Sequence, residues 1–246
     1  MSWQRATRRE QKEERVSAIL EAAAKLYATR DFDDVHMVAI AERVGLAKAS
    51  LYEYFSTKDD VFLALALRDI ESWASDVESR LRRLRRPDAE RIAAALTAAL
   101  RGQARLLRLR SNVRSIFERR PATGAVADFH RSFMASMQRV AAALNAACPQ
   151  LTPEEVTEFG IQHQAVNAGL WSMTHPPKRS DAASNLSEFQ SIGFDFFELF
   201  ERTIHQILRG LLEDSKHRTP KTSRKKDSSN HSSLNSRGLP ANVADS

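Results

Sequence analysis

Cysteine is nearly absent from this chain: of 246 residues, only Cys148 carries a thiol. An internal disulfide is thereby excluded, as is any metal cluster built from several thiolates. Glycine and proline number only eight each, and strand-like alternation of apolar and polar residues is scarce. No apolar run reaches the roughly 18 residues that a membrane span needs. The seven histidines contain no H-x-x-x-H pair, so no structural zinc is expected. A Walker loop, a Rossmann glycine triplet and a G-x-S-x-G elbow are all missing. These absences predict a protein with no metal, no cofactor, no catalytic residues and no membrane partner. The opening stretch, MSWQRATRREQKEERV, is charged where a secretory signal is apolar, and a single thiol suits a reducing cytoplasm.

Long Ala/Leu/Arg/Glu stretches are abundant, which predicts an all-α fold. With 42% hydrophobic and 28% charged residues, a sizeable core can be built. Charge is unevenly spread: residues 59–120 carry net +5 and residues 121–214 net −5, while the tail from 215 is again net +5. That asymmetry points weakly to a polyanionic partner, and solvated charged faces explain it as well.

Apolar positions Val16, Ile19, Leu20, Ala23, Leu26 and Tyr27 recur at three and four, giving one helical face over 12–30. Asp34 or His36 opens a short helix through Met37, Ile40, Ala41 and Val44. Gly45 ends it as a left-handed residue does. A second short helix is expected over 47–54. Ser56 with Asp59 reads as a capping box for a long helix over 58–85. Beyond Pro87, one helix is predicted over 89–109 and a short one over 113–119. Another spans 124–147. Thr152, Pro153 and Glu155 mark the next start. A final helix is expected over 186–212, with a stripe of Phe189, Gly193, Phe196, Phe200, Ile204, Ile207 and Leu211 that Phe197 and Leu208 widen. From residue 216 the composition predicts disorder.

Two short helices meeting at a glycine, braced by a preceding helix, describe a helix-turn-helix. Its second helix is small and polar outward, and fits a major groove about 12 Å wide. The spacing of Ala22, Ala23, Phe32, Ile40, Ala41, Gly45, Leu51, Tyr52, Phe55 and Lys58 resembles the N-terminal domain of the TetR family of bacterial transcriptional regulators. The resemblance covers about residues 16–66. It implies a flexible basic arm (1–11), a DNA-binding domain (12–58), a helical ligand-binding and dimerisation domain (59–214) and a disordered basic tail (215–246).

By this resemblance Lys48, Ala49 and Ser50 meet base edges, while Tyr52, Tyr54 and Lys58 meet phosphates. Arg5, Arg8, Arg9 and Lys12 of the arm reach either the adjacent backbone or the minor groove. Three positions depart from the pattern: Asp31 replaces a glycine, His36 a capping threonine and Ala47 a capping serine. A lost N-cap costs roughly 0.5–2 kcal/mol. His36 and Ala47 also occupy phosphate-facing sites.

The resemblance further implies a homodimer joined through the last two helices, a palindromic double-stranded operator and a small-molecule effector. Candidate lining residues for the effector pocket are Trp73, Phe117, His130, Phe133, Met137, Gln164, Asn167 and Trp171. Arg101, Arg105 and Arg108 share a helical side that either faces solvent or attracts an anionic ligand. The function implied is a repressor released from DNA by its ligand. The alternative is a ligand-independent activator or architectural DNA-binding protein.

Overall fold

A computed structural model of the chain describes residues 2–120, 124–175 and 195–217. Nine helices occupy them: α1 (Ser2–Thr29), α2 (Met37–Val44), α3 (Lys48–Tyr52), α4 (Lys58–Arg83), α5 (Ala89–Arg101), α6 (Ala104–Arg119), α7 (Ala125–Ala147), α8 (Pro153–Thr174) and α9 (Phe196–Lys216). No strand occurs among the described residues.

The first three helices pack around Ile19, Ala23, Tyr27, Ile40 and Leu51, all buried, and α4 closes the unit from below. Phe62 of α4 is fully buried. It lies edge-on to Tyr27 and Phe32, with ring centroids at 5.4 and 4.8 Å. Such edge-to-face pairs add roughly 0.5–1.5 kcal/mol each beyond the area they bury. Leaving this unit, α4 continues into the larger domain and packs on α5, α6 and α7. It is therefore a shared beam. The last helix lies on α5 and α8, burying Phe196, Phe200, Ile204 and Leu208, one residue per turn of a single stripe.

Several local expectations shift. The backbone is helical from Ser2, where a flexible arm over residues 1–11 was expected. Thr57, not Ser56, caps α4: its side-chain oxygen accepts from the Asp60 N–H at 3.1 Å. The helix predicted over 89–109 is two helices, because Gly102 ends α5 with φ −83° and ψ 1°. Glycine carries the largest backbone entropy penalty of any residue in a helix interior. The capping box at Thr152 and Glu155 is formed in both directions. Ser215 and Lys216 belong to α9, while residues 218–246 of the expected tail, and Phe189 and Gly193, lie outside the described residues.

Candidate nucleic-acid interface and effector cavity

The turn between α2 and α3 is set by Gly45, at φ 72° and ψ 34°. Its N–H donates to the Glu42 carbonyl at 3.1 Å, and the Leu46 N–H donates to Ala41 at 2.9 Å. Those two bonds satisfy carbonyls that a helix end leaves open. A Cβ here would meet nothing within 4 Å, so the left-handed backbone, not crowding, requires glycine.

Only five residues make α3, shorter than the 47–54 expected. Leu51 is buried, and its carbonyl accepts from the N–H groups of Tyr54 and Phe55, both at 3.1 Å. With Leu51 anchored inward, Lys48, Ala49 and Tyr52 face solvent and Ser50 is half-buried. The Lys48 ammonium lies 6.0 Å from the Tyr52 ring, so the two side chains share one surface. Tyr54 is half-buried against the core. His36 and Ala47 occupy the N-cap positions of α2 and α3 without a side-chain capping bond. Lys58 is half-buried: its ammonium donates to the Phe32 carbonyl at 2.9 Å and sits 4.3 Å from the Phe32 ring. Near it, Asp59 and Asp60 fill the first turn of α4. Of the expected arm, Arg9 pairs with Glu13 at 2.7 Å and Lys12 is exposed; the side chains of Arg5 and Arg8 lie outside the described residues.

Within the larger domain a cavity of about 260 Å³ opens between α4, α6, α7 and α8. Seven of the eight expected lining residues meet there: Trp73, Phe117, His130, Phe133, Met137, Gln164 and Asn167. Trp171 does not. Its indole stacks on His175 at 3.6 Å and lies edge-on to Phe196 of α9. Three polar residues on the wall escaped the sequence reading, Arg110, Arg114 and His163. Two of them had a signal: Arg110 lies between Leu107 and Val113 on the apolar side of α6, and His163 between Phe159 and Asn167, one turn apart on α8. His163 is 4% exposed, and burial with the nearby Arg110 charge pushes its pKa down to about 4. Burial likewise lowers the pKa of Arg110.

Of the three arginines that share a side, Arg101 is exposed and Arg105 and Arg108 are half-buried, and each has a partner within the protein. Arg105 donates to both oxygens of the buried Asp69 of α4, at 2.8 and 2.7 Å. Arg108 donates to the carbonyls of Tyr27 and Arg30 at 2.9 and 3.3 Å and covers the Tyr27 ring at 4.2 Å. Asn112 donates to the Tyr27 hydroxyl at 2.9 Å, and burial raises the pKa of that phenol. Arg101 covers the Phe197 ring at 4.8 Å. At the far end of α6, Arg120 reaches Asp60 at 2.6 Å and Thr57 at 3.3 Å. One side of α6 therefore lines the cavity while its other side grips α1 and the first turn of α4.

A short solvent-facing helix behind a left-handed glycine turn, joined by a shared beam to a helical core with a cavity, defines a helix-turn-helix DNA-binding transcriptional regulator. Residues 67–215 match the tetracyclin repressor-like C-terminal domain, and residues 19–65 match the bacterial regulatory proteins of the tetR family. The chain belongs to the TetR family. It is 34% identical over 71 residues to the HTH-type transcriptional activator FasR of Mycolicibacterium smegmatis, a match that spans 29% of this chain and 32% of that protein. Its fold is similar to that of a TetR-family regulator from Mesorhizobium loti, with TM-score 0.57 at 17% identity over 82% of this chain and 97% of that one. It is also similar to the fatty acid degradation regulator FadR of Bacillus halodurans, with TM-score 0.51 at 16% identity over 79% and 97%. No helix among the described residues is long and apolar enough to cross a membrane.

Proposed function

We propose that the protein is a homodimeric repressor whose grip on a palindromic operator is loosened by a small molecule bound in the α4–α8 cavity. The carrying observation is the double role of α6. Val113 and Phe117 line the cavity, and Arg120, one turn beyond Phe117, holds Asp60 and Thr57 at the start of α4. That first turn follows the reading helix directly in the chain. A ligand that shifts α6 therefore displaces the first turn of α4 and, with it, Lys48, Ala49, Ser50 and Tyr52. Two reading helices must sit one DNA turn apart, about 34–36 Å, to engage both half-sites, so a modest displacement lowers affinity. The ligand acts only to the extent that it binds the DNA-incompetent arrangement more tightly.

Dimerisation through α8 and α9 rests on the outer face of α8, where Ile161 and Met173 are 67% and 45% exposed. Exposed Ala165, Ala168 and Gly169 lie between them and allow close helix approach. Lys48, Ala49 and Ser50 read bases, and Tyr52, Tyr54 and Lys58 hold phosphates. For Lys58 this means sharing its ammonium between Phe32 and the DNA. His36 and Ala47 flank the same surface.

Binding sites selected from a random DNA pool, followed by footprinting and mass measurement of the complex, test this reading. Two chains on a two-fold symmetric site are expected, with Lys48→Ala changing base preference and Tyr52→Phe weakening all sites alike. A single chain per site, or a Lys48→Ala profile identical to wild type, would overturn it. The activator alternative draws on the likeness to FasR. Transcription in vitro separates the two: a repressor lowers initiation at its site, whereas an activator raises it.

A further inference from the structure

We propose that the cavity takes a small organic monoanion, a carboxylate on a short apolar body, whose charged head is bound by Arg110. The proposal rests on the reading of this cavity as the effector site and adds the chemistry of what enters it. The charges of the wall are one-sided. Arg110, Arg114, His130 and His163 contribute to it, and no aspartate or glutamate among the described residues does. Arg114 is exposed and paired with Glu118 at 2.9 Å, whereas Arg110 is half-buried. It donates to the Gln164 carbonyl at 3.2 Å, and no carboxylate among the described residues pairs with it. A guanidinium has five N–H donors, and a cation drawn partly out of water without a counter-charge is costly. A carboxylate arriving with the ligand supplies both the charge and two acceptors in the geometry that a guanidinium matches.

Unpartnered polar atoms mark the same end of the cavity. Trp73 Nε1, His163 Nε2 and Asn167 Oδ1 are buried without a hydrogen-bond partner, although their residues are 4%, 4% and 2% exposed. The Trp73 and His163 rings are 5.9 Å apart, and His163 lies close enough to feel the Arg110 charge. The Gln164 amide nitrogen, beside them, has the Met137 sulfur at 3.7 Å as its acceptor, a weak partner that a carboxylate oxygen would replace. Native interiors rarely leave such groups open; the Trp73 Nε1–H is a donor that a carboxylate oxygen can satisfy, which places a ligand's polar head between α4 and α8. The remaining wall is aromatic and aliphatic, with Phe129, Phe133 and Val113. At about 260 Å³ the cavity falls just under the roughly 300–1,000 Å³ common for small-molecule sites, which limits the body to a short chain or a single ring.

Calorimetric titration of the full chain with matched probes tests the assignment. The probes are hexanoate, octanoate, decanoate and 3-phenylpropanoate, each against the alcohol of the same skeleton at pH 7.5. At least one carboxylate is expected to bind about tenfold or more tightly than its alcohol, the scale of a charge-assisted pair. Arg110→Gln should bring the two within about twofold by weakening the carboxylate alone, and Arg110→Lys should keep the preference. Alcohols binding as tightly as carboxylates, a preference that survives Arg110→Gln, or no binding by any probe would each overturn the proposal. The wild-type comparison holds even if a variant fails to fold. Operator anisotropy with the same probes separates this claim from the one beneath it. A carboxylate that binds through Arg110 and leaves operator affinity unchanged keeps the ligand class and removes the release mechanism. An alcohol that releases the operator as well as its carboxylate does the reverse.

Discussion

Removing the Arg105 side chain tests how the larger domain is fastened to α4. Asp69 is 4% exposed as a residue, and both its oxygens accept from Arg105 at 2.7–2.8 Å. That bond to Asp69 also raises the Arg105 pKa. In Arg105→Ala the carboxylate stays buried and loses its partner. Breaking a buried pair in this way costs roughly 3–5 kcal/mol. Here the arginine side chain is 38% exposed, so water enters at its edge and the loss should fall to about 2–3 kcal/mol. In a chain of this size each kcal/mol moves Tm by about 2–4 °C, which puts the shift at roughly 4–12 °C. The assay is a circular-dichroism melt with parallel urea titrations at pH 7.5, repeated for the double variant Asp69→Leu with Arg105→Met. Because the apolar pair leaves no buried charge, the double variant should come within about 1 kcal/mol of wild type. A single variant within about 0.5 kcal/mol of wild type, or a double variant as unstable as the single, would show that the pair does not bear this load.

Two further outcomes follow from the same physics. His163 is held neutral, with its pKa near 4 against an unfolded value of about 6.5. The unfolded chain therefore binds more protons between those values, and stability falls as pH drops from about 6.5 toward 4. Urea titrations should show wild type losing about 2 kcal/mol more than His163→Gln between pH 7.5 and 5; equal losses would mean that this ring does not titrate on unfolding. Gly45→Ala should cost about 1–2 kcal/mol through the left-handed backbone alone, with Gly45→Asn milder. Equal melting temperatures for all three would contradict the φ of 72°.

The fold was largely legible because the helices announce themselves by spacing and by caps that act locally. Gly45, Thr152 with Glu155, and the stripe of Phe196, Phe200 and Ile204 all act within one or two turns. The misreadings came where two local signals competed or where a partner lay far along the chain. Ser56 and Thr57 are both capping residues, and sequence order does not say which adopts the extended backbone. Gly102 interrupts a periodic stretch that reads as continuous because Leu100 and Leu107 are in phase across it. The cavity wall was readable from large apolar residues with a polar pair, but Trp171 obeys the same pattern and turns to α9. Arg105 and Arg108 were misjudged for a third reason. Their acceptors, Asp69, Tyr27 and Arg30, lie 36 to 81 residues away, beyond any local rule. On the proposed DNA face, Lys48 and Tyr52 are exposed, while spacing gave no hint that Lys58 would lean on Phe32.

The contacts of α6 bear on whether the reading unit can be exchanged. Arg108 holds α1 by main-chain carbonyls of Tyr27 and Arg30, acceptors that every sequence possesses. Other contacts ask for particular side chains: Asp59, Asp60 and Asp69 sit on α4, while the Tyr27 hydroxyl, Asp31 and Thr57 lie ahead of it. A head taken from another regulator and grafted ahead of residue 58 would thus meet a socket whose demands include positions 27, 31 and 57. Such a hybrid should report one protein's ligand at another's operator, provided that Tyr27, Asp31 and Thr57 are kept and α4 is kept whole.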